Sequence, residues 1–385
     1  MNFGILGAGM MGRAIAFDLV NHSSFDTLTL ADREDSILQD AQKFLGDNSI
    51  EYSHLDVSHE KEVTTFFDTH DLIISAIPYS FNYLLAQTAV QTETHFLDLG
   101  GNNDIVTRER SLHKQAQKKG VTIIPDCGLA PGLVSIITQD IVEHLDVVDT
   151  VKLRVGGLPV DPQPPLNYQI VFSPNGLINE YMEDSLILDH GHVKTKSSMT
   201  EVETLSFPKP FGTMEAFLTS GGCSTLPTTY KDTIGYLDYK TIRYPGHCEK
   251  FKLLLDLGMG QETPVSVGSQ HMVPRHLLIT LLEKTLPSDG RDVTLLKVIG
   301  EGRHHHKTVR REYMMIDYYD DRHAMTSMMR TTGFPVSIIA QLIEHGTIAL
   351  SGVFCPEEIV PCQPFFKELE ARGIHIEQKT TILQK

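Results

Sequence analysis

The sequence predicts an α/β fold with a doubly wound parallel sheet, followed by a second, α+β domain built on a mixed, largely antiparallel sheet. Three observations carry this. The first third of the chain alternates short apolar runs with amphipathic helical segments, the pattern of βαβ units. Its first apolar run, Phe3 to Leu6, ends in Gly7-Ala8-Gly9-Met10-Met11-Gly12 and is followed by an amphipathic segment from Arg13 to Asn21. From about Thr150 the texture changes to strand-like segments and turn clusters, such as Val151-Lys152-Leu153-Arg154-Val155 and Asp161-Pro162-Gln163-Pro164-Pro165.

The glycine turn is the firmest element. A strand before it and a helix after it make it the phosphate-cradling start of a dinucleotide-binding Rossmann unit. Gly7 permits the tight turn, Gly9 lets a pyrophosphate approach the backbone, and Gly12 lets helix and strand pack closely. Ala8, Met10 and Met11 complete the cradle, whose free N–H groups and positive helix end face the anion.

The other elements follow in order. The strand Thr27 to Ala31 ends in Asp32, and a helix runs from about Ser36 to Leu45. The next strand ends at Tyr52 to Val57, with a helix from His59 to Asp68. The strand Leu72 to Ile77 is stopped by Pro78, ahead of a helix from Phe81 to Gln91. The strand His95 to Leu99 ends in Gly100-Gly101, and a basic helix runs from Ile105 to Lys119. Val121 to Ile124 is the sixth strand. A helix from Leu133 to His144 bridges to the second domain. A short helix near Met325 to Arg330 and a longer one from Val336 to His345 return to the first domain. The boundaries expected are 1–130, 131–322 and 323–385.

Bulk composition narrows the function. A chain of 385 residues is too long for one ordinary core, and its formal charge of −16 argues against nucleic-acid or anionic-membrane partners. Five scattered cysteines without CxxC spacing suit reduced thiols rather than disulfides or zinc. With no signal-peptide pattern and no long apolar run, a cytoplasmic protein is expected. His304-His305-His306 reads as a solvated turn, and no metal is expected.

Ligands of a doubly wound sheet sit at the carboxyl ends of its strands. Asp32 there accepts ribose hydroxyls and repels a 2′-phosphate, favouring NAD, while Arg33 beside it suits a 2′-phosphate or the adenine face. Asp56 and Val57 are placed beside the adenine. Ala76, Ile77, Pro78 and Tyr79 fall on the nicotinamide side, with Asp98, Gly100, Gly101 and Leu129 at the remaining strand ends. Asp126 and His247 are the acid–base candidates. Arg243 has the fork to clamp a carboxylate. Tyr168, Tyr244 and Cys127 are candidate substrate neighbours, although a packing tyrosine and a buried apolar thiol are the commoner roles.

Several motifs together resemble the saccharopine dehydrogenase-like oxidoreductases, and within them the lysine 6-dehydrogenases. They are Asp98-Leu99-Gly100-Gly101-Asn102, Asp126-Cys127-Gly128-Leu129-Ala130-Pro131-Gly132, Val155-Gly156-Gly157-Leu158-Pro159, Phe172 to Ile178, Thr241 to His247 and Arg330 to Pro335. The resemblance implies NAD-dependent oxidation of the ε-carbon of L-lysine, with loss of ammonia and closure to a piperideine carboxylate. It also implies a homodimer. A saccharopine dehydrogenase or reductase is the alternative enzyme, and a non-catalytic NAD-binding sensor the alternative of another class.

Overall fold

The computed structural model describes residues 1–288 and 290–383. The chain divides into two compact units. The first comprises Met1–Glu143, Ser224–Leu226 and Met329–Ile374; the second comprises His144–Cys223, Pro227–Met328 and His375–Lys385.

In the first unit, β1 (Asn2–Leu6) leads through the glycine turn into α1 (Met10–His22). Then come β2 (Thr27–Asp32), α2 (Asp35–Leu45), β3 (Ile50–His54), α3 (Glu60–Asp68), β4 (Leu72–Ser75) and α4 (Asn82–Thr92). They are followed by β5 (His95–Asp98), α5 (Asn103–Arg110), α6 (His113–Lys119), β6 (Thr122–Ile124) and α7 (Leu133–Glu143). The expected basic helix is therefore two helices, broken at Ser111–Leu112.

All neighbours in this sheet are parallel, in the order β6-β5-β4-β1-β2-β3, with a seventh strand, Gly352–Val353, beside β6. That seventh strand was not expected, because two residues are too short for periodicity to show. The order reverses between β1 and β4, the switch point at which a parallel sheet opens a crevice. Ile5, Leu6, Ile73, Ile74, Phe96 and Leu97 are almost fully buried, as sheets covered on both faces require.

The late helices differ from expectation. Ser327–Glu344 is a single helix with Pro335 inside it, where two were expected. Beyond Ile374 the chain is a strand, Glu377–Leu383, paired antiparallel with Lys307–Tyr318. The tail of the 323–385 segment is thus not helical, and by contact it belongs to the second unit.

The second unit is built on a nine-stranded mixed sheet. Its central strand, Val147–Pro159, pairs parallel with Ile234–Arg243 and antiparallel with Asp292–His304. Glycines let these strands close up: a Cβ on Gly156 would fall 2.3 Å from the Ile242 carbonyl oxygen. His305 and His306, both at positive φ, turn the hairpin between Asp292–His304 and Lys307–Tyr318. Among the described residues no helix is long and apolar enough to cross a membrane.

Candidate active site

The first unit contains a crevice of ≈ 340 Å³ at the switch point. The strand ends bring together Gly7, Gly9, Asp32, Arg33, Asp56, Val57, Ala76, Ile77 and Pro78. Leu6, Ala31, Ile37, Leu55 and Phe81 complete the lining; they are apolar strand-end and helix-start residues that carried no chemical signal in the sequence.

The glycine turn has the geometry its chemistry needs. Gly7 has φ +98°, and a Cβ there would approach the Ala76 carbonyl oxygen to 2.7 Å. A Cβ on Gly12 would overlap the Gly7 carbonyl oxygen at 1.7 Å, so α1 can pack on β1 only without one. At Gly9 a Cβ would meet nothing within 4 Å, which is the open space an approaching phosphate requires. The first turn of α1 carries no acidic residue and no side-chain cap, leaving its amide donors to an anion.

Asp32 joins this wall. Its Oδ2 accepts from the Ala8 amide at 2.8 Å and its Oδ1 from the Glu34 amide at 3.0 Å, which fixes the carboxylate at the end of β2. Arg33 is exposed and lies 3.5 Å from Glu34 Oε1, so its charge is turned toward a neighbouring acid. These residues fit a dinucleotide by their open turn, free amides and fixed carboxylate.

Asp98, Gly100, Gly101, Leu129 and Tyr79 do not line the crevice. Gly101 packs on Tyr79, and Gly100 makes room for an acid: a Cβ there would lie 1.9 Å from Asp126 Oδ1. Asp126 is 1 % exposed, at φ 63°. Its Oδ2 accepts from the Ser224 hydroxyl at 2.5 Å, while Oδ1 has no donor among the described residues. Burial, reinforced by the Asp98 charge, pushes its carboxyl up to about 8. Cys127 is fully buried, its thiol donates to the Ile124 carbonyl, and burial holds its pKa well above the ordinary thiol value. It is a protonated packing residue in this structure and not an open substrate contact.

The second unit holds the cationic cluster. Arg243, at the end of its strand, is 2 % exposed; Nε donates to the Tyr181 hydroxyl at 2.9 Å and Nη1 to the Ile242 carbonyl. The guanidinium sits over the Tyr168 ring at 4.9 Å, a desolvated cation–π contact contributing about 2 kcal/mol. Burial pushes the Tyr168 hydroxyl up to about 12.

The buried cations differ. Arg154 is neutralised by Asp238 and Glu203, and Lys240 by Glu203, whereas no described carboxylate comes within ion-pair distance of Arg243. Glu180 feels its charge, but burial pushes that carboxyl up to about 7.

His247 is not poised as the near-neutral acid–base group expected. It is 1 % exposed, Nδ1 lies 3.0 Å from the Leu166 carbonyl and Nε2 lies 3.1 Å from the Tyr181 hydroxyl. Burial, then the Arg243 charge, pushes it down to about 3, so it is a neutral ring that orients Tyr181. Tyr244 also departs from expectation: its hydroxyl donates to the Pro159 carbonyl and its ring packs on a separate apolar cluster with Leu158 and Ile242. Tyr181 and Glu180 went unnoticed in the sequence, because an aromatic and an acid inside a helix read as packing and surface.

The parallel sheet, the open glycine turn and the carboxylate ending β2 define a protein of the dinucleotide-binding oxidoreductase class. Comparison with known proteins narrows this. Residues 3–124 match the saccharopine dehydrogenase NADP binding domain, and residues 128–374 match the saccharopine dehydrogenase C-terminal domain. The chain belongs to the saccharopine dehydrogenase family.

It is 22 % identical to the saccharopine dehydrogenase [NADP(+), L-glutamate-forming] of Saccharomyces cerevisiae over 98 % of each chain. It is 23 % identical to the carboxynorspermidine synthase of Vibrio alginolyticus over 97 % of this chain and 96 % of that one. The bovine mitochondrial alpha-aminoadipic semialdehyde synthase is 20 % identical over 98 % of this chain, which spans 48 % of that protein. Among solved structures, the apo yeast saccharopine dehydrogenase superposes with a TM-score of 0.81 at 21 % identity over 99 % of each chain, a likeness of fold.

Proposed function

We propose that this protein is an NAD-dependent dehydrogenase that oxidises the ε-carbon of L-lysine. The observation that carries this reading is Arg243, a buried guanidinium with no ion-paired carboxylate among the described residues, beside buried cations that have theirs. One unpaired cationic anchor suits an amino acid with one carboxylate; a larger tricarboxylic secondary amine needs more of them.

In this reading Arg243 binds the substrate carboxylate through the guanidinium edge that Tyr181 and the Ile242 carbonyl leave free, and His247 keeps Tyr181 in place. The Tyr168 ring covers the adjoining alkyl stem. Asp126 takes the amine proton. Its pKa near 8 makes it ionised at the alkaline pH where a lysine amine, of ordinary pKa ~10.4, begins to lose its charge. The bound nicotinamide supplies the hydride acceptor. As the ε-carbon gives up a hydride and the amine a proton, a C=N bond forms. Water adds to it, ammonia leaves, and the resulting aldehyde condenses with the α-amine, losing water, to a cyclic piperideine carboxylate. For the cofactor, Asp32 fixed at the ribose position favours NAD, although the matching family domain is described as NADP-binding.

The test is to incubate pure protein with L-lysine and NAD across about pH 7–10, a window that spans the Asp126 pKa and reaches toward that of the amine, ~10.4. Reduced nicotinamide and ammonia forming in equal amounts is the expected result. No turnover anywhere in that window overturns the reading.

The second reading, a saccharopine dehydrogenase or reductase, is favoured by the full-length similarity to the yeast enzyme. It predicts glutamate instead of ammonia as the product, and faster reduction of NAD or NADP by saccharopine than by lysine.

A further inference from the structure

Beside β4, where Asp98 pairs with Ser75, the first unit buries acids that the reaction above does not use. Asp98, ending β5, and Glu109, on α5, are both 0 % exposed. Asp98 Oδ1 accepts from the Gly100 amide at 2.6 Å and from the Asp126 amide at 3.4 Å. If both carboxyls were ionised, Asp98 Oδ2 and both Glu109 oxygens would be buried with no donor among the described residues, which is a severe penalty for charges in a dry interior. The pair belongs to no cluster of three metal ligands, since among the described residues the one such cluster is Asp140, Glu143 and Cys362. A proton removes the penalty. The two carboxyls are hydrogen-bonded to each other, and burial together with the Asp98 charge raises Glu109 far above the ordinary carboxylate range.

We propose that Glu109 is a neutral carboxylic acid whose O–H donates to Asp98, holding Asp98 as a carboxylate and so setting the strength of Asp126 as the base at this site. Glu109 is a positioning residue: it acts through Asp98 on Asp126. The same device, a carboxylic acid kept protonated by an apolar setting so that it can donate, is known at other enzyme sites. The groups facing the pair are Asp126 and Cys127 after β6, while Arg110, Cys355 and Glu357 face Asp126. Arg110 is itself bound bidentately by Glu358, so it does not neutralise Asp98. The Asp98 charge is felt at Asp126 and raises its pKa. Without the Glu109 donor, Asp98 would take up a proton, its charge would disappear, and Asp126 would become a weaker base.

This inference rests on Asp126 as the amine base, and its test separates the two claims. The infrared spectrum of the whole protein is recorded at about pH 9.5, above the Asp126 pKa of about 8, in H2O and D2O. A carboxylic-acid C=O band that shifts in D2O is expected in the wild type and absent from Glu109→Gln. The same band in both proteins, or in neither, overturns the assignment whether or not any substrate turns over. The kinetic arm compares Glu109→Gln, whose amide still donates to Asp98, with Glu109→Leu, which cannot. With lysine and NAD the Gln variant should keep kcat within about threefold, with the wild-type pH profile. In the Leu variant the acid limb of that profile should move down by about one pH unit. Equal behaviour of the two variants contradicts the positioning role. If Glu109→Leu does not fold, the infrared comparison of the other two proteins decides.

Discussion

The two buried sites are built in opposite ways. The crevice of the first unit is made of backbone: glycines, amide donors and residues at the ends of neighbouring parallel strands. The Arg243 cluster of the second unit is made of side chains from segments far apart in sequence, Tyr168, Tyr181, Arg243 and His247. Backbone construction tolerates varied side chains and binds what all dinucleotides share. Side-chain construction selects one substrate, and a single change removes it.

The largest effect is expected at Asp126, the proposed base. Asp126→Asn keeps a residue at home at φ 63° and retains an acceptor for Ser224. Yet kcat should fall about 10²–10⁴-fold, the usual contribution of a general base, with dinucleotide binding by calorimetry unchanged. A loss below about tenfold would remove Asp126 from the chemistry. Arg243→Met comes next. Loss of a charge-assisted contact of about 1.5–3 kcal/mol should lower kcat/KM for lysine roughly 10–150-fold, again leaving dinucleotide affinity untouched. Weakened dinucleotide binding in this variant would show that the two sites are not separable.

The backbone site breaks differently. Gly9→Ala meets open space and should fold normally while losing most dinucleotide affinity. Gly12→Ala collides with the Gly7 carbonyl and should lower Tm as well. Equal Tm losses in both would contradict the separation of anion space from packing. Asp32→Ser is the mildest change and should relax the NAD/NADP preference about tenfold; an unaltered ratio removes Asp32 as the discriminator.

Two buried groups, one in each unit, also oppose each other in pH. His247, neutral in the fold and pushed down to about 3, lets unfolded chains bind the extra proton, so its contribution rises from pH 3 to 6.5 and is then complete. Asp126, pushed up to about 8, keeps a proton that the unfolded chain has released, so its contribution falls from about pH 4 to 8 and then levels. Tm against pH should therefore lose part of its decline above pH 6.5 in Asp126→Asn, and part of its rise below 6.5 in His247→Phe. The reverse assignment of slopes would contradict both burials.

How much was legible in the sequence follows the same division. The glycine turn, the acid ending β2 and the strand ends were readable because periodicity and local spacing place them. The apolar lining, the seventh strand and the single helix through Pro335 were not, because only tertiary contact decides them. Among the side-chain sites, Arg243 was noticed by type. What makes it distinctive, that no described carboxylate pairs with it while Arg154 and Lys240 have theirs, is a fact of three-dimensional pairing. His247 was misjudged for the same reason: its ordinary pKa suggests acid–base work, and only burial shows it neutral. Glu109 sat in what read as a basic helix, and nothing local reveals a fully buried acid there.

The most direct test of the single-anchor account is kcat/KM with L-lysine and with L-lysinamide, which lacks the carboxylate, in the wild type and in Arg243→Met. The account predicts that the wild type prefers lysine by about tenfold or more, the free energy of one charge-assisted contact, and that the preference vanishes in the variant. A preference that survives in Arg243→Met would mean that another group holds the carboxylate and would contradict the account.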